Sequence, residues 1–480
     1  MAGDRLTGLD SSFLHLERDG AHMHVASTAI FEGPTPDYQE FVQHIDSRLH
    51  LVPRFRQKLR FIPFGLGRPV WEDDPHLNLQ YHVRHTALPP PGDDEQLRTL
   101  AARVFSQRLD RSKPLWELWV VDGLTGGRFA VVGKSHHALV DGVSGVDITT
   151  VLYDTERDPE GPPVPPTEWL PRPERSGAEL LAETIVERLT SPTEIIRSAR
   201  AFLRGPRELA GRARDALGAM GELAGAGLGA PSSPFNVEIG PYRRFAWVRG
   251  ELDDLKLVKN ELGGTVNDVV LAAVSGALGR YMRARGQSTH ELELRALVPI
   301  SIRTTEERGA LGNRVSAMMA PLPLWCEDPV ERLGLITNAM GDLKSSRQAV
   351  GATLLTELTD FAPPTIANQA ARLQSRQRFF NLVVTNIPGP QFPLYVLGRE
   401  MEATIPMVPL AKQQAVCVAI MSYNGQLNFG LTGDYDAMPD LDSLAEDLDA
   451  SITELVEAAG GKRGRKSRAR KRTQAAASTP

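Results

Sequence analysis

Seven prolines crowd the sixteen residues from Asp158 to Pro173. Proline fixes φ and removes a backbone donor, so neither helix nor strand runs through such a stretch. It marks a boundary or crossover. The chain has 480 residues, beyond the size at which a single hydrophobic core usually stops growing. Two domains are therefore expected on either side of a connector, with the divisions 1–157, 158–235, 236–460 and 461–480. The connector comprises the Pro-rich stretch and an Ala-, Leu-, Glu- and Arg-rich helical segment over 177–229.

Periodicity supplies the elements. Residues 23–33 read as a strand. Residues 94–109 read as a helix with Leu97, Leu100, Ala101, Val104 and Phe105 on one face. Trp116–Val121 and Arg128–Lys134 read as paired strands joined through Thr125-Gly126-Gly127. In the second half, strands are predicted at 243–251, 293–300, 313–320, 379–386, 400–408, 413–422 and 426–432. Helices are predicted at about 268–285 and 439–458, and another just after Gly142. Strands mixed with helices in both halves imply an α/β fold.

Charge and cysteine usage narrow the function class. Residues 461–480 hold eight basic side chains and no acidic one, so the net charge of −5 is a body of −13 with a basic appendage. That is not the footprint of a nucleic-acid-binding domain. The tail lacks apolar residues to bury and is expected to be disordered. Cys326 and Cys417 stand far apart, in neither a CxxC nor a Cys/His cluster, and read as buried, reduced thiols. No metal site and no secretory signal are expected. No apolar run reaches the ~20 residues of a membrane span, so a cytoplasmic protein with at most peripheral lipid contact is expected.

The chemistry centres on His136-His137-Ala138-Leu139-Val140-Asp141-Gly142, which follows directly on an apolar strand. A histidine at a strand end projects into a cleft, and its pKa suits proton transfer near neutrality. Asp141 fixes either the local backbone or the imidazole. Gly142 allows a tight backbone or leaves room for a channel. Two adjacent histidines by themselves equally describe a buried hydrogen-bonded pair. His22, His24, His82 and His85 read as ordinary strand or surface histidines.

The full HHxxxDG pattern resembles the active-site motif of the coenzyme-A-dependent acyltransferase superfamily. Further motifs follow in order: Leu9-Asp10-Ser11-Ser12-Phe13-Leu14, Pro114-Leu115-Trp116, Val266-Asn267-Asp268-Val269-Val270, Pro299-Ile300-Ser301-Ile302-Arg303, Gly312-Asn313 and Thr385-Asn386-Ile387-Pro388-Gly389-Pro390. Together they resemble the bacterial wax ester synthase/acyl-CoA:diacylglycerol acyltransferases over roughly residues 4–458. The resemblance implies two similar chloramphenicol-acetyltransferase-like domains with mixed sheets, meeting at a tunnel. It implies acyl transfer from acyl-CoA, as substrate rather than cofactor, to diacylglycerol or a long-chain alcohol. His137 is the implied base, His136 and Asp141 are implied supports, and Gly142 completes the motif.

Asn267 is either a hydrogen-bond donor to the reacting oxygen or the N-cap of the helix that begins there. Pro114, Leu115 and Trp116 are assigned to an acceptor-pocket wall or to the core. Arg303 is assigned to a CoA phosphate or to a salt bridge. Asn386–Pro390 reads as a rigid turn. A freestanding condensation-type domain acting on carrier-bound acyl groups, and a non-catalytic lipid-coating protein, are the competing readings.

Overall fold

The computed structural model describes residues 5–17, 20–139, 152–161, 169–190, 230–301, 315–345 and 380–461. Two six-stranded mixed sheets organise the molecule.

The first sheet is built around β1 (His24–Phe31) and β6 (Phe129–His136). These pair antiparallel from His24↔His136 to Phe31↔Phe129. Strand β5 (Trp116–Asp122) lies antiparallel on the far side of β6, and β4 (Val83–Ala87) runs parallel to β5 at the edge. A short ribbon of β2 (Gln57–Arg60) and β3 (Val70–Asp73) stands apart. Helices α1 (Gly8–Leu16), α2 (Tyr38–Arg48), α3 (Leu79–His82) and α4 (Asp94–Ser106) complete this half, and α5 (Gly177–Thr190) lies in the connector. Helix α4 starts with a reciprocal capping box between Asp93 and Gln96, which satisfies two of its orphan N–H groups. It buries Leu97, Ala101, Val104 and Phe105 as the 3.6-residue period requires.

The second sheet contains β7 (Arg243–Glu251), β8 (Glu293–Ser301), β9 (Val315–Pro323), β10 (Leu382–Pro388), β13 (Val416–Tyr423) and β14 (Gln426–Asp434). Strand β10 runs parallel to β8 and β13; the other pairs are antiparallel. Helices α6 (Leu252–Leu262), α7 (Val266–Ala284), α8 (Pro329–Ser345) and α9 (Leu441–Ala458) belong to this half. Helix α7 is apolar nearly all round and buried from Asp268 to Gly279, as a helix enclosed by other elements must be. No single helix among the described residues is long and apolar enough to cross a membrane.

The halves are not sequential blocks. Strands β11 (Tyr395–Val396) and β12 (Arg399–Met407) leave the second half and join the first sheet, where β12 pairs antiparallel with β1 from Ala26↔Met407 to Phe31↔Met401. A core cluster forms where the halves meet, joining Ile30, Leu97, Phe105 and Val132 to Phe245, Ala403, Ile405 and Met407. At this crossing β14 nearly touches β12. A Cβ on Gly430 would stand 1.9 Å from the carbonyl oxygen of Pro406, so only glycine fits there.

Two local readings change. The N-cap of α7 is Thr265, not Asn267: its hydroxyl accepts from the Asp268 N–H, and the Asp268 carboxylate accepts from the Thr265 N–H at 2.8 Å. Asp268 is the third helical residue that a capping box needs, whereas Asn267 is the second. Strand β10 also continues through Asn386, Ile387 and Pro388, whose partners on β13 are Ile420, Met421 and Ser422. Only Gly389-Pro390 is left to turn. Pro388 is tolerated because it closes the strand.

Candidate active site

Strand β6 ends at the histidine pair, and its neighbours grip that end from both sides. The His136 N–H donates to Leu115 O at 2.9 Å, and the His137 N–H donates to Met23 O at 2.8 Å. Successive residues of a strand face opposite ways, so the two histidines point to opposite sides of the sheet. The chain then tightens, with Leu139 N–H donating to His136 O at 2.9 Å.

His136 is fully buried and held at both ring nitrogens. Nδ1 accepts from the Ala138 N–H at 3.0 Å. The proton therefore sits on Nε2, which lies 3.0 Å from the Glu17 carboxylate. Glu17 follows α1 and also accepts from Arg111 at 2.6 Å. Burial alone would raise the Glu17 carboxyl, but the hydrogen bonds from His136 and Arg111 outweigh it and hold it down at about 2.

His137 is different. The residue as a whole is half-buried, and its ring stacks on Phe13 of α1, with centroids 3.9 Å apart and planes 24° apart. Nδ1 is buried without a hydrogen-bond partner among the described residues. Burial lowers its pKa to about 4; its own backbone works against the shift and His136 adds slightly to it. The ring is consequently neutral at pH 7, the state in which an imidazole accepts a proton.

Behind the pair stand further histidines. His24 lies opposite His136 in the sheet, with ring centroids 5.7 Å apart and its Nε2 3.8 Å from Glu17 Oε1. Burial, then Lys134, pushes its pKa well down. His22 stacks on His24 at 5.7 Å, and its Nδ1 accepts from Arg108 Nε at 3.2 Å. Burial and then Arg243 lower its pKa to about 4. Lys134 is buried too; it donates to Val104 O and Gln107 O, tying the end of α4 to β6, and pairs with Glu117 at 3.3 Å. Neither His22 nor His24 is a surface residue. His82 is likewise buried, its Nδ1–H donating to Trp116 O at 2.8 Å. Alternation in a strand does not reveal which face the protein covers, and here both are covered.

Pro114, Leu115 and Trp116 are buried. Trp116 stacks between Phe55 and His82, at 4.8 and 4.6 Å, and donates its indole N–H to Phe55 O at 2.8 Å. These side chains belong to the core, and their link to the histidines is the Leu115 carbonyl. Asn267 is half-buried in the first turn of α7 and makes no side-chain hydrogen bond among the described residues. Asp141, Gly142 and Arg303 lie outside the described residues, as do the helix expected after Gly142, most of the connector and the basic tail. Beside His22, Gly20, Ser106, Arg108, Ile239 and Pro241 line a cavity of about 490 Å³. Cys326 and Cys417 are free and buried.

Comparison with known proteins decides the family. The family model for the wax ester synthase/diacylglycerol acyltransferase catalytic domain matches residues 6–270, and that for the C-terminal domain of the same family matches residues 311–456. The chain belongs to the wax ester synthase/diacylglycerol acyltransferase family. It is 33% identical over 465 residues to the probable diacylglycerol O-acyltransferase tgs1 of Mycobacterium tuberculosis, covering 94% of this chain and 96% of that one. It is 33% identical over 470 residues to tgs2 of the same organism, covering 94% and 98%. The solved wax ester synthase/diacylglycerol acyltransferase from Marinobacter aquaeolei VT8 superposes with a TM-score of 0.65 at 28% identity, covering 95% of this chain and all of that one. The starter condensation domain of rhizomide synthetase, at 14% identity and a TM-score of 0.56 over 96% of this chain and 95% of that one, shows the same fold alone. As in that family, the chain is an α/β acyltransferase with two mixed sheets.

Proposed function

We propose that this acyltransferase moves a long-chain fatty acyl group from acyl-CoA to the hydroxyl of diacylglycerol, forming triacylglycerol, with long-chain alcohols as a second acceptor class. His137 is its general base. The observation that carries the base assignment is the contrast within the pair. His136 has both nitrogens engaged, while His137 is neutral and stacked on Phe13, with no partner at its buried Nδ1 among the described residues. Family membership and the named activity of tgs1 support the acyl donor and acceptor.

In this reading the neutral imidazole of His137 takes the acceptor hydroxyl proton as the oxygen attacks the thioester carbonyl. Collapse of the tetrahedral oxyanion breaks the carbon–sulfur bond, and the imidazolium returns the proton to the departing thiolate. The burial that depresses the His137 pKa helps this second step. An imidazolium near 4 readily protonates a thiolate whose conjugate acid lies near about 8.5. Phe13 fixes the ring plane and keeps water from it. Both substrates bound together make an acyl-enzyme unnecessary, and no cofactor is required. Asn267, with its amide uncommitted among the described residues, is the proposed donor to the oxyanion. Asp141 and Gly142 are proposed supports of the base, and Arg303 is the proposed contact to a CoA phosphate. The basic tail and the connector are proposed to bring the enzyme to lipid surfaces.

Free-thiol release from palmitoyl-CoA, measured with detergent-dispersed diacylglycerol or hexadecanol, tests the proposal. His137→Ala should reduce turnover about 10²–10⁴-fold in a folded protein. Near-normal turnover in that variant, or release equal with and without acceptor in the wild type, overturns it.

A further inference from the structure

The ribbon β2–β3 carries a loop of unusual composition. Phe61-Ile62-Pro63-Phe64-Gly65-Leu66-Gly67 has no charged side chain, and Arg60 and Arg68 bracket it. Ile62 turns inward to form a small core with Val70 and Leu180 of α5. The other large side chains turn outward. Phe64 is 89% exposed, Phe61 51% and Leu66 42%. On α5, fastened to the same ribbon, Ile185 and Val186 are 47% and 55% exposed. Phe64 and Gly65 are consecutive left-handed residues, with φ of 60° and 63°. That conformation disfavours phenylalanine, yet it is what curls the chain and leaves the ring at the apex.

The loop is also tied to the site. Leu6 N–H donates to Pro69 O at 3.0 Å and Arg5 bridges Val70. Leu6 leads directly into α1, and Phe13 of α1 stacks on His137. The nine residues of α1 span roughly 13 Å at about 1.5 Å per residue.

We propose that the loop Phe61–Gly67 inserts into the surface of a glycerolipid bilayer and holds the active site against the phase that contains its acceptor. An uncharged tip rooted in two arginines, of which Arg60 is 39% exposed and also pairs with Glu72 at 3.2 Å, matches the layering of such a surface, with hydrocarbon beneath and phosphate oxygens at the level of the guanidinium groups. A convex apolar apex finds cover in a deformable phase without needing a shaped recess. The choice of acceptor phase rests on the proposed function; the insertion itself is tested apart from it.

Full-length protein and Phe61→Ser/Phe64→Ser are compared by sedimentation with phosphatidylcholine vesicles containing a minor fraction of diacylglycerol. These vesicles are zwitterionic, so the basic tail adds little. The variant should bind at least about ten-fold more weakly, as loss of two inserted phenyl rings implies. It should melt like the wild type, because both rings are already exposed. Its thiol release should be unchanged on detergent-dispersed acceptor and reduced about ten-fold on vesicle-borne acceptor. Equal binding by the two proteins, or no binding by either, overturns the insertion. So does self-association of the wild type that the variant loses without any difference in vesicle binding, since the tip would then join copies of the chain. Absence of thiol release in detergent from both proteins would instead sink the proposed function and leave the binding comparison intact.

Discussion

Replacing Glu17 with glutamine tests whether a buried anion holds the histidine pair in place. The carboxylate is 6% exposed and receives His136 and Arg111 on the same oxygen. A carboxyl held at about 2 rather than its ordinary 4.5 carries at most about 3 kcal/mol of folding free energy at neutral pH. Arg111 stands 36% open to water, which screens its share of the interaction. The expected loss in Glu17→Gln is therefore about 2 kcal/mol. The folded value is the lower one, so this stability is present in full above about 4.5 and lost as the pH falls toward 2. Denaturant unfolding of both proteins between pH 7.5 and 3.5 should show a gap that is constant at the upper end and narrows below 4.5. Turnover should also fall, by about 10- to 100-fold, with little change in the KM for acyl-CoA, because Glu17 positions His136 and the turn that carries His137 rather than touching substrate. A gap that ignores pH would show that the glutamine hurts by shape and not by charge. A fully active variant would remove Glu17 from the support of the site.

Two further outcomes follow from the same geometry. Since burial holds His137 at about 4 and the base must be unprotonated, kcat/KM should stay level from pH 8 to about 5 and decline only as the pH approaches 4; an acidic limb centred near 6.5 would mean that the ring is not buried in the free enzyme. Gly430→Ala should cost at least the roughly 1–3 kcal/mol of an overpacked core, because the new methyl meets the backbone of Pro406 and not a movable side chain; unaltered stability by denaturant titration would refute that close crossing of β14 and β12.

Much of this organisation was legible from local chemistry. Strand β7 spans the predicted residues 243–251, because a run alternating between core and solvent has one reading. The histidine pair falls at a strand end, as its position after the predicted run Arg128–Lys134 implied. Other features depended on partners far along the chain. Glu17 is 119 residues from His136, and a lone glutamate after a short helix carries no sequence signal of burial. Phe13 lay inside a recognised motif, yet its stacking on His137 is a tertiary fact. His24 stands in a strand, one of the two readings offered, but its full burial was not legible, because a strand's pattern gives its period and not the burial of its second face. The departure of β12 into the first sheet was illegible for the same reason: a strand's sequence specifies its propensity, and the neighbour that completes it is chosen by the whole fold.

Strand β1 needs a partner that the ribosome delivers late. After β6 has emerged, about 270 more residues must be made before β12 is available to cover the other edge of β1. At about 5–20 residues per second that interval is on the order of tens of seconds. During it the nascent first half presents an unpaired edge, the type of surface that templates aggregation. The same pairing means that a gene split anywhere in the connector yields two fragments, one with a sheet missing its last strands and one with strands lacking a sheet. Neither is a free-standing unit, and each acquires its final shape only by clasping the other.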